Sequence, residues 1–180
     1  MGLHADLLEA CAAGSITQPQ AAFTVPVVLH GGYENPLNLL GLLVLQASED
    51  IERFRRHAAS DRVHLIEETL RTAGAVHRVV RWWAEDVPER GARRGDAVWL
   101  NLARANHNLG NGKGKHLASG WGHHRCPGVH LAHFLSELVI DVLLALPRTA
   151  VADAVVTTRH GLATRAVTRI ELEPRTVDRC

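Results

Sequence analysis

The sequence is poor in the features that mark disulfide-bonded, nucleic-acid-binding and membrane-spanning proteins. Its 180 residues include three cysteines, and 20 Lys and Arg against 19 Asp and Glu leave a formal net charge of +1. Cys11, Cys126 and Cys180 are too few, and odd in number, for a disulfide scaffold, which favours a reducing, cytoplasmic compartment. A net charge near zero argues against nucleic acid or a membrane surface as partner, because both attract bulk positive charge.

Long uninterrupted apolar runs are also missing. Residues 23–45 are the most apolar stretch, but Glu34, Pro26 and Pro36 interrupt it, so a membrane span is not expected. Residues 1–13 lack a basic start, so no secretory signal is expected. Hydrophobic residues make up 46% of the chain, which suffices for the core of one domain.

The hydrophobic pattern predicts a mainly helical α+β fold with small β elements. Helices are predicted over residues 6–13, 25–46 and 129–146, and after N-caps at Ser48 and at Ser60 or Asp61. Strands are predicted over residues 76–83, 97–103, 155–158 and 167–172, with a loop over 106–114. The helix over 25–46 is expected to break or bend near Gly31, Gly32 and Pro36, because glycine and proline weaken helices.

The helix over 129–146 has two contrasting faces. Its apolar stripe is predicted to face the core and comprises Leu131, Phe134, Leu135, Leu138, Val142 and Ala145. Its polar face comprises His130, His133, Glu137 and Asp141. On that face His133 is expected to pair with Glu137, four residues later.

A glycine-rich loop, residues 119–128, precedes this helix and carries the chemical signal of the sequence. Glycines allow a tight loop whose backbone approaches a flat ligand. Cys126 is predicted at the helix N-cap and Pro127 at the first helical position, where a missing N–H is harmless. A cysteine at a helix start is a soft metal ligand or a nucleophile, and the alternative is a small buried hydrophobe.

The sequence has twelve histidines, several of them close to this cysteine. A zinc site would draw on His123, His124, Cys126, His130 and His133. Helical periodicity instead places His130 and His133 on the polar face, where pairing with acidic neighbours is the simpler account.

The loop resembles the cysteine loop of the haem-thiolate monooxygenases, the cytochrome P450 superfamily, whose pattern is Phe-x-x-Gly-x-His/Arg-x-Cys-x-Gly. Gly122, His124, Cys126 and Gly128 match it in register. The resemblance implies that Cys126 is the axial ligand of the iron of haem b, and that His124 meets a haem propionate. A thiolate ligand favours cleavage of the O–O bond.

Further motifs follow the family's order. Glu68-Thr69-Leu70-Arg71 resembles its structural Glu-x-x-Arg pair, although a solvated ion pair is the simpler reading. Arg81 resembles the strand arginine that binds the other propionate, with stacking on a neighbouring tryptophan as the alternative. Residues 30–35 resemble the distal helix over the iron, which implies catalytic roles for His30, Glu34 and Asn35.

The resemblance covers the C-terminal part of the fold, so the chain is identified as a strongly truncated member with one domain over residues 1–180. Within it, the distal-helix equivalent is 23–46, the Glu-x-x-Arg helix 61–73, the cysteine loop 119–128 and the last long helix 127–146. The uncovered part includes the basic helix that helps bind haem and the electron donor, which removes the usual basis for a redox partner. An uncovered haem face is expected to be closed by a second copy, a partner protein or repacking, unless haem has been lost.

The chain also departs from the family pattern within the region of resemblance. Ser119 replaces the usual Phe near the sulfur, and Asn35 replaces an alcohol that helps deliver protons. The loop over 106–116 is shortened and lacks the arginine that normally joins Glu68 and Arg71.

The leading hypothesis is a haem-thiolate oxidoreductase acting on a small hydrophobic biosynthetic intermediate with oxygen or peroxide. The alternatives are a non-redox cyclase or isomerase using acid–base catalysis, and a non-catalytic remnant or partner subunit.

Overall fold

The structure is a computed structural model that describes residues 2–109 and 116–172. The chain divides into two compact units, residues 1–36 and residues 37–180. The described part contains, in chain order, α1 Leu3–Ala12, α2 Gln18–Glu49, α3 Ile51–Ser60, α4 Arg62–Ala73, β1 Arg78–Trp82, β2 Ala97–Asn101, α5 Leu102–Asn108, α6 Val129–Ala145, α7 Arg148–Ala152, β3 Val155–His160 and β4 Arg165–Glu171. The predicted fold class, mainly helical α+β with small β elements, is confirmed.

The first unit consists of α1 and the beginning of α2, which continues into the second unit. Helix α2 runs without interruption through Gly31, Gly32 and Pro36, so the predicted break is wrong. A helical proline loses one hydrogen bond and presses on the carbonyl four residues earlier. That residue is Gly32, which has no side chain to hinder the adjustment. No described helix is long and apolar enough to cross a membrane.

The second unit has a hydrophobic core shared by the end of α2 and helices α3, α4, α6 and α7. Its buried residues are Leu43, Ala47, Phe54, Ala58, Leu65, Ile66, Ile140, Leu143 and Val151. Removal of these side chains from water is the main stabilising contribution to the unit.

The caps of α3 and α4 explain how three consecutive helices turn within a few residues. Asp61 accepts a hydrogen bond from the His64 N–H at 2.9 Å. Of the two residues predicted to cap α4, Ser60 and Asp61, Asp61 is therefore the cap. The predicted cap at Ser48 is wrong, because Asp50 caps α3. Ser48 lies inside α2, where its hydroxyl donates to the Leu45 carbonyl.

Helix α6 is oriented differently from the prediction. Five residues of its apolar stripe are exposed: Leu131, Phe134, Leu138, Val142 and Ala145. The buried positions are Ser136, Ile140 and Leu143. The supposedly solvated side faces α4 instead, because Asp141 contacts Arg62 at 2.6 Å and His133 contacts Glu67 at 2.6 Å.

Two antiparallel hairpins complete the second unit. Strand β1 pairs with β2, and β3 pairs with β4 across an irregularity between Thr157 and Thr158. Strand β2 ends earlier than predicted, because the Asn101 side chain caps α5 by accepting from the Arg104 N–H. Asn106 therefore lies in a helix and not in the predicted loop, of which residues 110–114 fall outside the described residues.

Candidate functional site

The loop over residues 119–128 contains a glycine, Gly120, at which any side chain would be strained. Gly120 has φ of 74°, and a Cβ atom there would collide with the His124 carbonyl oxygen. Gly122 also has a positive φ, 57°, but has open space around it. The cysteine loop therefore needs glycine at 120 for space as well as for backbone conformation.

Cys126 lies at the end of this loop and is exposed, with a free thiol. Its N–H donates to the Ser119 carbonyl at 2.8 Å and closes the loop. Helix α6 begins at Val129 with Gly128 at the N-cap position, so Cys126 does not cap it and Pro127 is not its first residue, contrary to prediction. A Cβ on Gly128 would lie 3.8 Å from the Cys126 sulfur, so glycine leaves this side of the sulfur open. Cys180 lies outside the described residues.

Buried Asn106 on α5 anchors the start of the loop. Its side-chain oxygen accepts a hydrogen bond from the Leu117 N–H at 2.6 Å, and 3% of the residue is exposed. Its backbone carbonyl accepts from the Arg71 guanidinium at 3.1 Å. One residue thus connects α4, α5 and the segment that leads into the loop.

Glu68 and Arg71 form a two-pronged ion pair on α4. Arg71 donates to both carboxylate oxygens of Glu68, at 2.6 and 2.7 Å. The Arg71 side chain is 10% exposed, so the ion pair is not the solvated surface pair of the simpler interpretation. The hydrogen bond from Arg71 lowers the pKa of Glu68, and the same bond raises the pKa of Arg71.

The neighbouring Glu67 joins two histidines. Its carboxylate oxygens lie 3.0 Å from Nε2 of His116 and 2.6 Å from Nε2 of His133. The expected pairing of His133 with Glu137 is therefore wrong, since a residue on another helix takes that place. Within residues 2–109 and 116–172, no three His, Cys, Asp or Glu side chains are arranged to share a metal ion.

A hollow of about 480 Å³ opens beside the loop. Its walls include Glu67, His116, residues 119–122 and Arg125. Cys126 is not among the residues that line it.

The other residues predicted to bind the cofactor are placed on separate elements. His124 is exposed and lies in a short helical turn, Gly122–His124. Gly128 lies further along the same loop. Arg81 lies on β1, where its guanidinium donates to the Val80 carbonyl at 2.7 Å. Among the described residues Arg81 has no cation–π contact, which leaves the stacking alternative without support.

The three residues predicted to be catalytic lie in the first unit. His30 Nδ1 and Glu34 Oε2 are 2.9 Å apart, one helical turn along α2, and both side chains are about half exposed. The Asn35 side-chain oxygen is buried and has no hydrogen-bond partner among the described residues. The helix therefore brings His30 and Glu34 together and leaves Asn35 with an unused acceptor.

Comparisons with known proteins find similarity to cytochrome P450 proteins. No protein-family model matches the chain. Cytochrome P450 GfsF from Streptomyces halstedii is 30% identical over 169 residues, which cover 82% of this chain and 41% of that protein. The structure of cytochrome P450 CREJ superposes with a TM-score of 0.76 at 23% identity, over 94% of this chain and 48% of that chain.

The chain belongs to the cytochrome P450 superfamily. It spans about half the length, or less, of the P450 proteins that it matches. Another P450 structure, P450BioI in complex with hexadec-9Z-enoic acid ligated acyl carrier protein, has a TM-score of 0.70 at 26% identity. This match covers 86% of the present chain and 44% of P450BioI.

The P450 motifs predicted the loop and the Glu-x-x-Arg pair, but not the residues that support them. The resemblance implies that an arginine normally joins Glu68 and Arg71; here the Asn106 carbonyl contacts Arg71 instead. Glu67 and His116 were also missed, because their contact spans 49 residues and has no local spacing.

Proposed function

We propose that this P450 protein binds haem b through Cys126 and oxidises a small hydrophobic biosynthetic intermediate with oxygen or peroxide. The observation that carries the proposal is the free, exposed Cys126 sulfur in a loop that matches the family pattern. The hexadec-9Z-enoic acid in the P450BioI complex is a long apolar chain, and this supports a hydrophobic substrate here.

The residues around Cys126 suit a planar iron cofactor. The sulfur is accessible, and Gly128 adds no side chain beside it. His124 and Arg81 would bind the two haem propionates. Held in this way, haem supplies the oxidation chemistry of a thiolate-ligated iron.

On α2, the His30–Glu34 pair can hold a proton between its imidazole and its carboxylate. Asn35 cannot relay a proton as an alcohol does, but its unpaired side-chain oxygen can accept a hydrogen bond from substrate or water. These residues would carry the acid–base and hydrogen-bonding roles that the family resemblance assigns to this helix.

The absorption spectrum of the protein with haemin, reduced and treated with carbon monoxide, tests the proposal. We expect a Soret band at the position typical of thiolate ligation, and we expect Cys126→Ala to lose it. Cys11→Ala is the matched control, since it removes the other described free thiol. Retention of the thiolate band by Cys126→Ala would contradict the proposal.

A second candidate function, acid–base cyclisation or isomerisation without haem, is favoured by the His30–Glu34 contact, which joins an imidazole and a carboxylate at 2.9 Å. It predicts turnover by haem-free protein that is lost in Glu34→Gln and retained in Cys126→Ala. Dependence of all turnover on haemin would contradict it.

The exposed α6 stripe supports a third role, as a subunit that pairs with a second copy or with another protein. In that case the mass of the purified protein in solution is expected to exceed that of one copy. Leu138→Asp is expected to reduce that mass. A monomer at every concentration would exclude self-pairing.

A further inference from the structure

A group of basic side chains lies where the two hairpins of the second unit meet. Backbone hydrogen bonds fix the meeting point: the His77 N–H donates to the Ala163 carbonyl, and the Arg165 N–H donates to the Ala75 carbonyl, both at 2.8 Å. His77 precedes β1, and Arg165 begins β4. The two residues are therefore held near each other although they are far apart in sequence.

Two further basic residues join them. The rings of His77 and His160 have their centroids 6.2 Å apart. His160 is directly opposite Arg165 in the β3–β4 register, so their side chains project from the same face of the hairpin. Arg78 follows His77, and its charge acts on the His77 ring together with those of His160 and Arg165.

This basic cluster has no acidic counterpart in the described part of the chain. The Arg165 Nε is buried and has no hydrogen-bond partner among the described residues. None of the ion pairs formed within that part of the chain includes His77, Arg78, His160 or Arg165. A buried guanidinium nitrogen without an acceptor is costly, and a bound anion would satisfy it.

The protonation of His77 reflects the same surroundings. Burial lowers its pKa, as do the charges of His160, Arg165 and Arg78, while a hydrogen bond with the Gly74 backbone acts in the opposite direction. A nearby negative charge would act against this lowering and favour the protonated form of His77.

We propose that His77, Arg78, His160 and Arg165 bind the phosphate or carboxylate group of a small molecule. The oxyanion would accept from the buried Nε of Arg165 and would lie beside the guanidinium of Arg78 and the imidazoles of His77 and His160. By linkage, binding raises the pKa of His77, so the affinity increases as the pH falls through the His77 titration. This site does not depend on the redox activity proposed above.

The experiment follows the His77 ring by NMR in the full chain. Inorganic phosphate, phenyl phosphate and benzoate are added separately at constant ionic strength, with chloride as reference. We expect saturable shifts at His77, a raised His77 pKa in the bound state, and binding of phenyl phosphate at least as tight as that of inorganic phosphate. A His77 pKa that is the same in phosphate and in chloride would overturn the proposal without any variant.

Two variants with the same change of charge locate the site. Arg165→Gln is expected to weaken phosphate binding about tenfold, the scale of one charge-assisted hydrogen bond. Arg159→Gln is the control, because Arg159 pairs with Ala166 and its side chain projects from the opposite face of the hairpin. The affinity of this variant for phosphate is expected to match that of the wild type. Equal weakening by both variants would indicate general charge attraction and contradict the site. Tight binding of inorganic phosphate without binding of either organic anion would contradict the small-molecule ligand.

Discussion

The two units of the chain hold their polar residues in different ways. In the second unit, Arg71 reaches the Asn106 carbonyl across 35 residues, and Glu67 reaches His116 across 49. In the first unit, His30 and Glu34 are joined by a contact within a single helical turn. The comparison teaches that the cysteine loop is positioned by tertiary contacts, whereas the pair on α2 is positioned by its own helix. Substitutions in the loop should therefore disturb stability much more than substitutions in the pair.

The largest effect is expected from Gly120→Ala. The new Cβ would collide with the His124 carbonyl oxygen at a positive φ, which we expect to lower the free energy of unfolding by ~3 kcal/mol or more. Urea denaturation measures the change. Gly122→Ala is the control, because its φ is also positive but its surroundings are open, and ~1 kcal/mol is expected. Similar losses in both variants would show that backbone conformation alone governs the loop.

The next effect is expected from Glu68→Gln, which leaves the nearly buried Arg71 without its carboxylate. After a discount for the partial exposure of Glu68, we expect a loss of ~2 kcal/mol. The pKa of Glu68 is lowered in the folded protein, so its contribution is present above the ordinary value of 4.5. That contribution is lost as the pH falls through the folded pKa.

Denaturation as a function of pH tests this prediction. The difference between wild type and Glu68→Gln should be full at neutral pH and should shrink at acidic pH. Glu85→Gln removes an exposed carboxylate and is expected to have little effect at any pH. A difference that persists unchanged in acid would mean that the charge of Glu68 does not contribute.

A smaller effect is expected from Glu67→Gln, which weakens the contacts to His116 and His133. Because the carboxylate is partly exposed, we expect a loss of ~1 kcal/mol in thermal or urea unfolding. Glu137→Gln on α6 is the control, because helical spacing predicted Glu137 as the partner of His133. This substitution should leave the free energy of unfolding nearly unchanged. A larger loss from Glu137→Gln than from Glu67→Gln would reverse the assignment.

The smallest effect is expected in the first unit. Breaking the half-exposed His30–Glu34 pair with Glu34→Gln should change the free energy of unfolding by ~0.3 kcal/mol. A double-mutant cycle with His30→Ala measures the coupling directly. A coupling as large as that between Glu68 and Arg71 would remove the contrast between the two units.

Local sequence signals predicted much of the fold. The Asp61 cap, the helices before and after it, and the strands near residues 78–82 and 97–101 follow from capping residues and periodicity. Local signals failed where two interpretations fitted the same residues. Ser48 has the side chain of a cap but bonds within α2, and Pro36 has the signature of a break but lies inside a continuous helix.

The candidate site divides in the same way. The spacing of Gly122, His124, Cys126 and Gly128 predicted the loop, because these residues are neighbours in sequence. Asn106 could not be predicted, because an asparagine in a turn-rich stretch gives no sign that its side chain will reach Leu117. Its role appears only when α4, α5 and the loop are packed together.

The amino-acid sequence by itself determined the helices, the strands and a glycine-rich loop that contains a cysteine, because local conformation depends on residues a few positions apart. Tertiary structure alone decided which side of α6 is buried and that His133 pairs with Glu67. Helical periodicity defines the faces of a helix but not its neighbours. Those neighbours are selected by the packing of distant segments into one core.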